Sequence, residues 1–188
     1  MTKRLIIGCG YLGFRVAKLW QTLGHDVHLL TRSEQTAAMF EQQGFTAHVG
    51  DVTQLSTLGR FPDATEVLYA VGFDRSANYD VHAVYCQGLK NVIERLSQVP
   101  NRFIHISSTG VYGQVDGSLV DEETLADPLR PGGAAALAAE QALRQSSLST
   151  TAVSLRFGGI YGPQRVPYLK KIIAGEPLAV PSQGWLNL

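Results

Sequence analysis

Hydrophobic positions along the chain alternate between short continuous runs and longer stretches at helical spacing. The continuous runs predict strands at 5–7, 27–30, 45–49, 66–71, 102–106 and 151–156. Apolar residues that recur every three or four positions predict helices at about 12–23, 34–43, 79–97 and 134–144. Strands that alternate with helices in this way are typical of a parallel sheet covered on both faces. We therefore predict an α/β fold, a doubly wound parallel sheet.

The regular pattern weakens after Pro163. One further helix is predicted at 166–174, followed by a tail rich in proline and glycine that ends at Leu188. We predict one domain over 1–162, and over 163–188 the start of a C-terminal substrate lobe that is truncated or largely absent. The length of 188 residues fits one core with a small appended part.

Charge and composition exclude several classes of function. Sixteen basic residues balance sixteen acidic ones without clustering, so neither a nucleic acid nor a membrane surface is expected as a partner. The first apolar run meets a glycine too early to form a signal peptide or a membrane span. Two cysteines form no disulfide framework, which favours a cytoplasmic location. The five histidines share no metal-ligand spacing, so no metal is predicted.

A glycine-rich turn, Gly-x-Gly-x-x-Gly at Gly8, Gly10 and Gly13, joins the first strand to the first helix. The first glycine permits the tight turn, the second lets a pyrophosphate approach the backbone, and the third allows close packing of helix on strand. The helix N-terminus also offers free N–H groups to phosphates. The turn, which includes Tyr11 and Leu12, therefore predicts a Rossmann-like domain that binds NAD(P). The alternative is a strand-to-helix turn that binds nothing.

The end of the second strand indicates which dinucleotide is preferred. An NAD site usually places an acid there for the ribose 2′-hydroxyl, but this chain has Arg32 and Ser33. Arg32 can pair with a 2′-phosphate, and Ser33 can add a hydroxyl donor. We predict NADP as the preferred cofactor and NAD as the alternative; a solvated Arg32 without a ligand is the structural alternative.

Four motifs in register resemble those of the extended short-chain dehydrogenase/reductase superfamily, in its nucleotide-sugar epimerase and dehydratase branch. The motifs are the glycine turn at 8–13, Gly-Asp-Val at 50–52, Ser-Ser-Thr-Gly-Val-Tyr-Gly at 107–113 and Arg-Phe-Gly-Gly-Ile-Tyr-Gly-Pro at 156–163. The resemblance spans residues 5–163. It implies a dinucleotide cofactor and a small-molecule substrate that is similar to a nucleotide sugar.

The resemblance also implies roles for individual residues. Asp51 and Val52 would contact the adenine, and Ser107 and Ser108 would lie beside the nicotinamide, with Ser108 matching the catalytic Ser/Thr of the family. The ribose and phosphates of the cofactor would lie along three residues at the end of the fourth strand, namely Ala70, Val71 and Gly72. In this family the helix at 79–97 often joins a homodimer, although packing within the chain explains its apolar stripe equally well.

Two departures from the family pattern bear on function. The family's glycine motif is usually Gly-x-x-Gly-x-x-Gly, and this chain has Ile7 at its first position. The catalytic Tyr-x-x-x-Lys is missing: anchored on Glu140, the alignment places Gly132 at the tyrosine and Ala136 at the lysine. The chain is therefore predicted to be an atypical NAD(P)-dependent epimerase/dehydratase-like protein. The alternatives are a non-catalytic NADP(H)-binding sensor and a scaffold with a vestigial turn.

Other residues are candidates for the missing chemistry. Tyr112 and Tyr161 each follow a strand, so either phenol could replace the absent acid, although packing with the hydroxyl at the rim is the alternative. Past the fourth strand, Asp74, Arg75 and Tyr79 are candidates for contact with the substrate. Asp74 could instead only cap the following helix.

Overall fold

Six parallel strands form one sheet in the order β3-β2-β1-β4-β5-β6 in the computed structural model, which describes residues 2–74 and 78–178. The strands are β1 (Lys3–Ile7), β2 (Asp26–Thr31), β3 (Thr46–Val49), β4 (Glu66–Tyr69), β5 (Arg102–Ser108) and β6 (Ala152–Phe157). The helices are α1 (Tyr11–Thr22), α2 (Glu34–Glu41), α3 (Gly88–Arg95), α4 (Pro131–Arg144) and α5 (Leu169–Ile173). The predicted Rossmann-like doubly wound sheet is confirmed.

The central strand β1 pairs with β2 on one side and β4 on the other. The chain therefore builds outward to β3, returns to the middle, and builds outward again to β6. Neighbouring crossovers leave in opposite directions from β1 and β4, which opens a crevice at their carboxyl ends. This is where an open α/β sheet binds its ligands.

Two apolar cores, one on each face of the sheet, account for the hydrophobic runs. Leu5 and Ile7 of β1 pack on one face with Phe103 of β5, whereas Ile6 packs on the other face with Phe40 of α2. Alternate residues of a strand point to opposite faces, so a strand covered on both faces must be apolar at every position. That requirement explains why the buried part of β1, Leu5–Ile7, is a continuous apolar run.

The predicted boundaries shift where backbone geometry overrides periodicity. The fourth strand ends at Tyr69, two residues before the predicted end, because the chain turns away where Ala70 packs against the glycine turn. Helix α4 begins at Pro131, three residues before the predicted start, because proline is favoured in the first turn of a helix, where its missing N–H costs nothing. The helix predicted at 79–97 is helical over 81–95 and contains a π turn at Ala83–Gln87.

The apolar stripe of this third helix packs inside the chain. Val84, Leu89 and Val92 are buried, and the latter two belong to the core beneath the sheet. Intramolecular packing therefore accounts for these stripe residues, and the homodimer stays a prediction. Within residues 2–74 and 78–178, no helix has the length and apolar character needed to cross a membrane.

Candidate functional site

A cleft of about 500 Å³ opens at the carboxyl ends of β1, β2, β4 and β5. It brings together most of the residues that the sequence predicts for cofactor and substrate. Those that line it are Gly8, Gly10, Tyr11, Leu12, Arg32, Asp51, Val52, Ala70, Val71, Gly72, Asp74, Tyr79, Ser107 and Ser108. Residues from both halves of the chain thus converge on one site.

The glycine turn closes tightly at two positions and is open at the third. Gly8 has a φ of +91°, and a Cβ there would lie 2.6 Å from the carbonyl carbon of Ala70. A Cβ on Gly13 would collide with the Gly8 carbonyl, so Gly13 acts by packing and does not line the cleft. A Cβ on Gly10 would meet no atom within 4 Å. The open position faces the cleft where a pyrophosphate would need to approach.

One end of the cleft holds a charged and aromatic group of residues. The Tyr79 hydroxyl donates a 2.6 Å hydrogen bond to Asp51 Oδ2, and the Arg32 guanidinium lies 5.6 Å from the centre of the Tyr79 ring. Burial raises the pKa of Asp51, but hydrogen bonds from Tyr79 and Thr53 and the charge of Arg32 outweigh it and lower the pKa overall. The carboxylate is therefore held in its charged form.

Tyr79 lines the cleft, and its predicted contact with a substrate stays a prediction. Its hydroxyl lies against Asp51, which the family resemblance assigns to the adenine, at the end opposite Ser107. Asp74 lines the cleft and is engaged with other groups. Arg75 lies outside the described residues.

At the other end, Ser107 is tied to a buried ion pair. Its hydroxyl donates a 2.6 Å hydrogen bond to Glu140 Oε1, and Glu140 is only 1% exposed. Arg156 donates to both oxygens of that carboxylate, at 3.0 and 2.7 Å. Burial raises the pKa of Glu140, but the hydrogen bonds and charge of Arg156 and the hydrogen bond from Ser107 outweigh burial and lower the pKa overall. The carboxylate is therefore ionised.

Ser108 follows Ser107 in the chain and also lines the cleft. Its Oγ accepts a 3.0 Å hydrogen bond from the amide of Gly110, so the hydroxyl proton remains available to a ligand. Ala136 lines the same region. A methyl group therefore stands in the cleft at the position that the alignment gives to the family lysine.

Two further side chains in this part of the cleft were not singled out by the sequence. His105 lines it from within β5 and contacts Ser154 Oγ at 3.1 Å, and burial lowers its pKa to about 4. Its imidazole is therefore neutral near pH 7. Tyr85 also lines the cleft, from the π turn at Ala83–Gln87, a helical irregularity that recurs at functional sites. A π turn cannot be read from apolar spacing alone.

Besides Gly13, three predicted residues do not line the cleft. The Ser33 hydroxyl accepts from the Thr36 amide and caps α2. The Tyr112 hydroxyl donates to the Asp121 carbonyl at 2.7 Å and accepts from Arg156, also at 2.7 Å. Tyr161 is 51% exposed. The structure thus gives Tyr112 a role in the ion-pair network and leaves the Tyr161 phenol at the surface.

Metal ligation and thiol chemistry find no support in the described part of the chain. None of its His, Cys, Asp and Glu side chains gather in groups of three or more that could hold a metal ion. Cys9 lies in the glycine turn and lines the cleft, but burial raises the pKa of its thiol to about 12. The thiol is therefore protonated at neutral pH and a poor nucleophile.

The sheet order and the glycine turn at its centre define a Rossmann-like domain. The sequence model of the NAD dependent epimerase/dehydratase family matches residues 5–181. The chain belongs to this family. The predicted resemblance is thereby confirmed over almost the whole chain. No curated protein matches it significantly.

Solved structures of longer proteins share the fold. A protein from Methylobacillus flagellatus, assigned to the NAD-dependent epimerases/dehydratases, is 32% identical over 90% of this chain and 59% of its own, with a TM-score of 0.72. Bordetella bronchiseptica WbmG, in complex with NAD and UDP, is 22% identical over 93% of this chain and 60% of its own (TM-score 0.73).

The UDP-glucuronic acid 4-epimerase of Bacillus cereus, in complex with NAD, is 22% identical over 94% of this chain and 64% of its own, with a TM-score of 0.67. At this identity, it and WbmG support the fold alone. The chain spans about three fifths of the length of these proteins.

Proposed function

We propose that the chain is the dinucleotide-binding part of an atypical NAD(P)-dependent protein of the epimerase/dehydratase family. The observation that carries this is that one cleft combines an open glycine at Gly10, a charged group around Asp51 and two hydroxyls at Ser107 and Ser108. Solved relatives hold NAD, and WbmG also holds UDP. The UDP bound to WbmG supports a substrate similar to a nucleotide sugar.

NADP(H) is the preferred cofactor in this proposal. Arg32 lines the cleft beside Asp51 and Tyr79 and is exposed, so its guanidinium can meet a 2′-phosphate without first leaving a buried partner. A charged Asp51 so close to Arg32 would also repel a second anion, which limits the preference. The expected difference is therefore moderate.

Catalysis by the usual family route is not part of the proposal. No tyrosine in the chain is followed by lysine four residues later, and Ala136 supplies no charge where a lysine would be expected. Ser108 is the hydroxyl that we assign to the reacting end. Loss of an acid–base pair removes roughly 10²–10⁴ in rate.

A second function, a non-catalytic NADP(H) sensor, is favoured by the same observation. At the Ser108 end of the cleft, Ala136 presents a methyl group and His105 a neutral imidazole, so neither supplies the charge of the family lysine. A sensor needs only to bind cofactor and change its contacts. Turnover separates the two functions, because only the enzyme converts a bound substrate.

The test is a fluorescence titration with NADPH and NADH, repeated with a panel of nucleotide sugars. Saturable binding of NADPH, tighter than that of NADH, is the expected result. Absence of binding to either cofactor would overturn the proposal. Product formation, assayed separately with the same nucleotide sugars, would favour the enzyme over the sensor.

A further inference from the structure

A tight turn after β6 brings a basic side chain to the mouth of the cleft. Gly162 and Arg165 exchange two backbone hydrogen bonds, of 3.0 and 2.9 Å, and Gln164 between them adopts a φ of 65°. The Nε of Arg165 donates a 2.8 Å hydrogen bond to the Ile160 carbonyl. The guanidinium is thereby held at one edge, and within the described residues its two terminal NH₂ groups donate no hydrogen bond, so they can meet a ligand.

This turn is docked on Tyr11 of the glycine turn. The Tyr11 hydroxyl donates to the Pro163 carbonyl at 3.2 Å, and Arg15 donates to the same oxygen at 3.4 Å. The Arg15 and Arg165 guanidinium carbons lie 3.6 and 5.3 Å from the centre of the Tyr11 ring. Two positive charges therefore share one aromatic ring at the entrance of helix α1.

No carboxylate among the described residues neutralises either of these charges, since neither Arg15 nor Arg165 forms an ion pair with one. The first turn of α1 carries no acidic residue, and its helix N-terminus adds a partial positive charge. Arg165 lines the cleft together with Gly8, Gly10 and Tyr11, whereas Arg15 does not line it.

We infer that Arg165 binds a diphosphate group in the cleft, acting together with the backbone of the glycine turn. This inference rests on the proposed function. A planar guanidinium with two free NH₂ groups matches the paired oxygens of a phosphate. The diphosphate belongs to the dinucleotide or to a nucleotide-sugar substrate, since both carry the same group.

Binding of NADPH, adenosine and UDP to Arg165→Gln tests the inference. Loss of a charge-assisted contact weakens binding of a diphosphate ligand about tenfold or more, while binding of adenosine, which has no phosphate, is unchanged. Arg165→Lys keeps the charge but loses the planar fork, so it should fall in between. Lys170→Gln, an exposed change of equal charge in α5, is the control.

The outcomes distinguish three cases: a diphosphate of the dinucleotide, a diphosphate of the nucleotide sugar, and no role for Arg165. Weaker binding of NADPH assigns Arg165 to the dinucleotide, and weaker binding of UDP at saturating NADPH assigns it to the nucleotide sugar. Unchanged binding of both ligands in a folded Arg165→Gln protein would overturn the inference alone. If the unmodified protein binds no dinucleotide, the proposed function fails instead.

Discussion

The hydroxyl of Ser107 donates a 2.6 Å hydrogen bond to Glu140, a carboxylate that is buried and also held by Arg156. The chain thus connects the cleft to an ion pair behind it, and through Arg156 to Tyr112 and the Asp121 carbonyl. The orientation of Ser107 depends on that network. A serine that would otherwise rotate freely is fixed at the floor of the cleft.

Glu140→Gln tests the energetic weight of this pair. The amide keeps the size but not the charge, so the largely buried Arg156 loses its counterion. Breaking a buried ion pair costs about 3 kcal/mol or more, and we expect that decrease in the free energy of unfolding by urea denaturation. Glu94→Gln, an exposed change, is the control. Equal stability of the two variants would show that the pair contributes little.

Arg32→Ala tests the cofactor preference. The unmodified protein should bind NADPH more tightly than NADH, and the variant should lose that difference, since a hydrogen-bonded charge contributes about 1.5–3 kcal/mol. Fluorescence titration of both cofactors measures it. Arg60→Ala, an exposed site outside the cleft, should keep the preference. An Arg32→Ala protein that still favours NADPH to the same degree contradicts the role.

Gly10→Val tests the pyrophosphate position. A side chain there meets no protein atom within 4 Å, so the fold should survive while the cleft is blocked. We expect an unchanged circular dichroism spectrum and no detectable dinucleotide binding. Gly59→Val is a matched control, because its Cβ also meets nothing within 4 Å but lies outside the cleft. Normal binding by a folded Gly10→Val protein would place the pyrophosphate elsewhere.

His105 should make stability depend on pH. Its folded pKa of about 4 lies below the ordinary value of 6.5, so its contribution is complete above pH 6.5 and is lost as pH falls towards 4. At 1.36 kcal/mol per pKa unit, the loss is about 3 kcal/mol. Urea denaturation between pH 7 and 4 should show a steeper decrease for the unmodified protein than for His105→Gln. Parallel curves would contradict the assignment.

Catalysis offers the last test. We expect weak or absent turnover of ordinary epimerase and ketoreductase substrates despite cofactor binding. Gly132→Tyr combined with Ala136→Lys should raise activity, since a Cβ at Gly132 meets no atom within 4 Å and Ala136 lines the cleft. A coupled assay that follows reduced cofactor measures the turnover of the unmodified protein and of the double variant.

The control for this test removes the three hydroxyls that the sequence predicts as catalytic. Ser108→Ala, Tyr112→Phe and Tyr161→Phe together should abolish any residual turnover of the unmodified chain. Strong hydride transfer that survives all three changes would show that the reacting end of the cleft is elsewhere. The expected loss should come from Ser108, because the Tyr112 hydroxyl is already hydrogen-bonded on both sides.

The sequence by itself determined the strands, most helix positions and the glycine turn. Each can be read from neighbours in the chain: residues 5–7 of β1 form a continuous apolar run, and Gly8 adopts a local φ of +91° that favours glycine. Such constraints act within a few residues, so periodicity and motif spacing reveal them. The cleft at the carboxyl ends of the strands followed from the same alternation.

Only the tertiary structure decided which side chains meet. Tyr79 contacts Asp51 although they are 28 residues apart, and Arg165 packs over the ring of Tyr11 although they are far apart in the sequence. The π turn that presents Tyr85 inserts a residue into a helix whose apolar spacing predicts a regular one. These contacts depend on sheet register and on the direction in which each loop leaves its strand. Neither quantity is fixed by local hydrophobicity, so the fold had to bring the partners together before their chemistry could be assigned.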